Sequence, residues 1–396
     1  MKRSLLFLLT SFLLFLIMFG VALYIPNSLP TNSDFSAIYN TDLALVNRVP
    51  IYDLPKVEAL AQQHSGVPPK NFFLARFPYP PWYALSTFYL GFMSAGAAAT
   101  LWFELNLAML FLSVWFLTDG WSGRLRLIAF PLALFFLPVL GALSVGQYDF
   151  PVLLGTSLLM YALRKENITL TTIGIVLLTF KPHVGALILL SGLGWLIGSR
   201  SSFGRRVMRP FITAGVMLFA AGFIADPAWL INYPRMLINY QNEGNVTACS
   251  ECASLPVWLS RWFFDGSLSR AIMIALVLLI ILIVLFSFVR SALLSHEFLL
   301  TAALLITLLV SPYLYNYDFL LLLVPFAVLA RQGNLFHIII VLICYFIPSF
   351  ALLLLGRAGN ISLILMTMVL TMLLYFDMLH RLRLKNSVID FTTHAA

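Results

Sequence analysis

Asp34 is the first acidic residue of the chain, a few positions beyond a long apolar run at 4–25. A carboxylate held at a membrane surface can take the proton of an attacking hydroxyl when its pKa lies near the working pH. The preceding Asn32-Ser33 also makes Asp34 a candidate cap for a loop helix. Asp149 follows Gly146-Gln147-Tyr148 in what reads as a tight turn, where it suits a helix cap. The Gln147 amide donates and accepts, so it suits either a hydroxyl or a carboxylate partner. Asp318 follows Ser311-Pro312 and tyrosines at 313, 315 and 317, which read mostly as interfacial anchors. Tyr52-Asp53 reads as a turn before Pro55.

Lys181 closes a short apolar run, and Pro182-His183 follows it. A cation there lies at or below the membrane boundary, costs a few kcal/mol, and calls for an anionic partner. That partner is Asp34, Asp149, Asp318 or a lipid phosphate. A phosphate-linked leaving group needs cations against the charge building on the departing oxygen. Lys181, His183, Arg76 and Arg357 are the available donors. Glu104 and Asn106, inside an apolar run, read as helix–helix hydrogen-bonding groups.

No His, Cys and Asp cluster has metal-ligand spacing, and no cofactor motif is present. There is no phosphate-cradling glycine loop, dinucleotide fingerprint or nucleophile elbow. Of three cysteines, Cys344 sits in an apolar run, whereas Cys249 and Cys252 form a C-S-E-C in a polar loop. On an oxidising side of the membrane that pair is a candidate local disulfide.

The elements that must hold these residues are membrane helices. Of 396 residues 61% are hydrophobic and only 10% charged, against about 25% charged in soluble domains. The net charge of +8 therefore reflects basic turns at helix ends rather than a nucleic-acid surface. Apolar runs fall near 4–25, 83–93, 97–117, 125–143, 149–163, 168–181, 184–198, 207–224, 269–290, 297–311, 318–330, 335–355 and 361–379. If all thirteen crossed, Arg381, Arg383 and Lys385 would lie opposite Lys2 and Arg3, and Arg124 and Arg126 would be misplaced. If 83–93, broken by Gly91 and entered through Pro80-Pro81, stays at the surface, every basic cluster shares one side.

The expectation is an all-α polytopic membrane protein, a single domain over 1–396 with about twelve transmembrane helices and both termini cytoplasmic. The run at 4–25 is read as an uncleaved first span. Two long outer loops, 26–96 and 225–268, would collect the polar chemistry on one face.

The ordered pieces Asp34-Phe35 with Tyr39, Tyr52-Asp53, Phe77-x-Tyr79-Pro80-Pro81, Gly146-Gln147, Lys181-Pro182 and Ser311-Pro312 to Asp318 resemble glycosyltransferase family 87. These are GT-C-fold, polyprenol-phosphate-mannose-dependent mannosyltransferases of the membrane. The resemblance implies a first outer loop with juxtamembrane helices and a catalytic carboxylate, here Asp34. It implies transfer of a sugar, mannose by analogy, from a polyprenyl phosphate to a lipid or glycan acceptor with inversion. Lys181 and His183 would hold the donor phosphate, with Arg76 and Arg357 as further candidates. Tyr39, Tyr79, Gln147, Asp149 and Asp318 would line the sugar or acceptor. The implied location is the cell inner membrane, in contact with its lipids, with the site facing outward. The rival class is a transporter or lipid flippase, which would place ionisable groups at the bilayer midplane in a repeated architecture. Here most charges gather at one face.

Overall fold

The computed structural model describes residues 33–65, 74, 76–199, 201–242, 252–287 and 295–394. The run at 4–25 and Cys249 lie outside them. Every regular element among the described residues is helical. The first is α1 (Asp34–Val46), followed by α2 (Leu54–Ser65), α3 (Pro81–Thr87) and a 3-10 helix (Phe88–Phe92). Next come α4 (Ala95–Leu117), α5 (Gly123–Leu134), α6 (Leu137–Val145), α7 (Asp149–Arg164), α8 (Ile168–Leu178), α9 (Pro182–Gly198) and α10 (Ser202–Ala225). The chain continues through α11 (Trp229–Asn242), α12 (Leu255–Phe263), α13 (Leu268–Ser287) and α14 (His296–Val310). A 3-10 helix (Asn316–Leu322) leads into α15 (Leu323–Ala330), and α16 (Leu335–Leu355) and α17 (Asn360–His394) close the chain.

Among the described residues, four helical stretches are long and apolar enough to cross a membrane: α4, α10, α13 and the stretch formed by α16 and α17. The pair α5 and α6, bent by 57° ahead of Pro138, makes a fifth if counted as one span. Helices α8, α9, α14 and the 316–330 segment are apolar but shorter. Helix α13 presents Met273, Leu276, Val277, Ile280 and Ile283 outward. An apolar face of that kind fits hydrocarbon rather than water. This is a multi-pass membrane architecture.

The run at 83–93 forms α3 and the 3-10 turn, of 7 and 5 residues. At 1.5 Å per residue neither piece approaches a bilayer core of about 30 Å. Both are fastened to α1 instead. Thr87 donates to Asp42 at 3.1 Å, Tyr39 donates to the Met93 carbonyl at 2.9 Å, and a Cβ at Gly91 would lie 2.4 Å from the Asp42 carbonyl oxygen.

Helices α7 and α14 form the core, nearly all of their residues being buried. Helix α8 lies against α7 at backbone contact: a Cβ at Gly155 would fall 2.9 Å from the Gly174 oxygen, and the converse distance is 2.8 Å. Small residues permit this approach, which is how membrane helices gain packing without a hydrophobic drive. One end of α7 carries Asp149; the other, about 24 Å away by helical rise, carries Arg164. There Glu297 accepts from Arg331 at 2.6 Å and pairs with Arg164 at 3.1 Å. Lys165 pairs with Asp119 at 3.3 Å, and Arg331 also donates to the Leu117 carbonyl. This ionic girdle joins the ends of α4, α7, α14 and α15 opposite the polar cluster described below.

The expected helix–helix bonding of Glu104 and Asn106 is not found. Residues two apart on a helix point to different faces. Glu104 is exposed, while Asn106 is buried with neither amide atom hydrogen-bonded.

Candidate active site

Four chain segments end at one place. They are the start of α1, the turn between α6 and α7, the join of α8 and α9, and the 3-10 helix after α14. Each brings one of the residues singled out by type.

Ser33, not Asp34, occupies the cap position of α1, and Asp34 is the first residue of the helix proper. Its charge there is favoured by the helix dipole. Its Oδ2 accepts from Gln147 Nε2 at 3.0 Å, and Tyr317 also hydrogen-bonds to the carboxylate. The amide of Gln147 is itself oriented, because its Oε1 accepts from the Tyr148 backbone N–H at 2.6 Å. The Tyr148 hydroxyl donates to the Asp34 carbonyl at 2.6 Å. Two consecutive residues of one turn therefore grip both the side chain and the backbone of Asp34.

The turn has this shape because of Gly146, whose φ of +69° lies in the left-handed region. A Cβ there would sit 2.6 Å from the Phe35 Cβ. Trp102 Nε1 fixes the same turn by donating to the Gly146 carbonyl at 2.9 Å.

Burial pushes the Asp34 pKa up from 3.8 to about 6, and the nearby Asp318 carboxylate adds to the rise. The Lys181 ammonium and the Tyr317 hydroxyl pull it back down. Asp34 keeps partial solvent access. A half-buried carboxylate with such a pKa is ionised at neutral pH yet basic enough to accept a hydroxyl proton.

Lys181 is buried, at 2% exposure, and its Nζ donates to Asp149 Oδ1 at 2.8 Å and to Asp318 Oδ1 at 2.5 Å. The partner left open in the sequence is thus a pair of aspartates, with Asp34 within their field. Asp149 and Asp318 are themselves fully enclosed, and they meet the lysine rather than open solvent. The second oxygen of Asp318 accepts from the Tyr315 N–H at 2.6 Å, which closes the 3-10 turn over the cluster. Tyr317 lies with its ring 5.7 Å from Lys181 Nζ. Tyr315 and Tyr317 are therefore part of the cluster, not membrane anchors.

His183, the second residue of α9 and close in sequence to Lys181, is exposed, with its ring edge-on to Tyr313 at 6.0 Å. Arg76 is half-buried on the extended segment leading to Phe77. Arg357 is exposed on the 3-10 turn Gly356–Gly359, which packs on the two helices it joins.

Tyr39 stacks on Phe35 at 6.0 Å and is half-buried. Tyr79 is buried, its ring 4.3 Å from that of Tyr148, within an aromatic wall that includes Phe77, Tyr83 and Phe180. Asp42, two turns beyond Asp34 on α1, is fully buried and was not singled out by type. Cys252 is disulfide-bonded. Among the described residues no group of His, Cys, Asp and Glu is arranged to hold a metal ion.

A bundle of apolar helices that gathers Asp34, Gln147, Asp149, Lys181 and Asp318 at one place marks a membrane protein with a candidate site for chemistry. The model of glycosyltransferase family 87 matches residues 77–312, and the chain belongs to that family of membrane glycosyltransferases. The matched span contains Gln147, Asp149 and Lys181; Asp34 and Asp318 fall on either side of it. No curated protein and no solved structure matches the chain.

Proposed function

We propose that this glycosyltransferase moves a sugar, mannose by family resemblance, from a polyprenyl phosphate to a lipid or glycan acceptor, with inversion at the anomeric carbon. Asp34 is the catalytic base. The observation that carries this reading is the grip of Gln147 and Tyr148 on Asp34, beside a buried cation and at a pKa of about 6. The acceptor oxygen attacks the anomeric carbon as the bond to the phosphate oxygen breaks, and the acceptor proton passes to Asp34. The departing phosphate takes up the electron pair. His183, exposed beside Lys181, and the Lys181 ammonium are assigned to its oxygens. Arg76 and Arg357 are assigned to the same phosphate more remotely.

Twelve spans with both termini cytoplasmic would place this cluster on the outer side of the cell inner membrane and the ionic girdle on the inner side. The girdle's four cations, Arg164, Lys165 and Arg331 with neighbouring Arg126, support that orientation.

The test is reconstitution in liposomes with polyprenyl-phosphate-linked mannose, glucose and arabinose in turn, followed by mass spectrometry of the lipid and glycan products. One donor should be consumed by the native chain. Asp34→Asn should lower turnover by about 10²–10⁴-fold, the usual worth of a positioned base, with the fold intact. Near-native turnover in that variant removes Asp34 from the role.

A further inference from the structure

Outside the cluster, a polar cavity of about 480 Å³ lies between the link joining α1 to α2 and the start of α11. Its polar lining is Tyr52, Asp53, Asp226, Asn232, Arg235 and Asn239. The volume falls within the roughly 300–1,000 Å³ of small-molecule sites.

The cavity is built rather than incidental. Asp226 is buried at 1% exposure, accepts from the Ala228 N–H at 2.8 Å and holds Asn232 Nδ2 at 3.1 Å from each of its oxygens. With Nδ2 so committed, the Asn232 carbonyl oxygen is left as an acceptor. Asp53 pairs with Lys56 at 2.7 Å, and Arg235 stands across the cavity on α11. Carboxylates and cations therefore balance. A balanced wall offers little to a phosphate, and its amides and carboxylates would be stranded by an apolar chain. Donors and acceptors interspersed beside a tyrosine suit a neutral polyhydroxyl compound.

The same wall reaches Asp34. Tyr52, whose ring lies 5.4 Å from that of Tyr233, donates through its hydroxyl to the Tyr79 carbonyl at 2.6 Å. The Tyr79 ring packs on Tyr148, and Tyr148 bonds the Asp34 backbone.

We infer that this cavity is a carbohydrate subsite, which holds the non-reacting sugar units of a neutral glycan acceptor while its reacting hydroxyl lies at Asp34. The inference rests on the proposed transfer to a glycan-bearing acceptor. It is tested by calorimetric titration of the purified full chain with mannotriose, with maltotriose and with glycerol 3-phosphate, in the absence of donor. A trisaccharide should bind the native chain. In the Arg235→Ala/Asn239→Ala variant, altered at two exposed positions, affinity should fall about thirtyfold or more, the loss of one charge-assisted and one neutral hydrogen bond. Equal affinity in that variant, binding of glycerol 3-phosphate alone, or no trisaccharide binding overturns the assignment. Because neither donor nor turnover enters the titration, a chain that transfers no sugar still returns one of these answers.

Discussion

Replacing Gln147 by methionine keeps the volume of the side chain and removes the N–H that meets Asp34 Oδ2 at 3.0 Å. That N–H favours the ionised carboxylate, so its loss must raise the Asp34 pKa. A hydrogen bond to a charged group contributes about 1.5–3 kcal/mol, and one pKa unit corresponds to about 1.36 kcal/mol. The bond therefore accounts for about one to two units, and partial solvent access at Asp34 favours the lower figure. From a value of about 6 in the native chain, the carboxyl moves to about 7. At pH 6 the ionised fraction drops from about a half to about a tenth, whereas at pH 8 it falls only from nearly complete to about nine-tenths. The assay is the pH dependence of kcat/KM for sugar transfer in liposomes. The acid limb should move up by about one unit, with rates at pH 8 close to native. A limb that stays at about 6, or a loss of equal size at pH 6 and pH 8, refutes Gln147 as the group that tunes the base.

Two other substitutions probe the same place. Lys181→Met strands Asp149 and Asp318 in the core and should cost about 3–5 kcal/mol, read as a lower unfolding temperature in detergent. The triple change with Asp149→Asn and Asp318→Asn should recover most of it, and an unaltered unfolding temperature in the single variant denies the pairing. Gly146→Ala forces an L residue to a φ of +69° and a Cβ onto Phe35. It should cost about 1–2 kcal/mol in backbone strain alone and lower kcat by displacing the neighbouring Asp34. A variant with native kcat contradicts the role of the turn.

The helices were largely legible because membrane insertion demands continuous apolar runs. The run at 335–355 coincides with α16, that at 97–117 with α4 to within two residues, and that at 149–163 with α7 to within one. The break at 125–143 was not, since the bend at Phe135–Phe136 interrupts an unbroken apolar stretch. Asp34 and Lys181 stood out because a charge beside hydrocarbon is costly and therefore rare. Their partners could not be read the same way. Lys181 meets Asp318 at a separation of 137 positions, and nothing in a tyrosine's type tells an anchor from a ligand, as Tyr317 shows. Asp42 escaped notice because its partner is Thr87, a residue with no charge to pair. The cavity beside Asp226 arises only when residues 50–55 meet residues 226–239.

The turn from Gly146 to Asp149 has a consequence for how this chain can change. Its second residue bonds the Asp34 carboxylate, its third anchors the helix bearing Asp34, and its fourth pairs with the lysine. Lengthening or shortening the stretch by a single position would unseat all three at once, since each depends on register along the same few ångströms. On the proposed reading, substrate range can drift through the walls of the Asp226 cavity, whereas a one-residue insertion or deletion in this turn should abolish transfer.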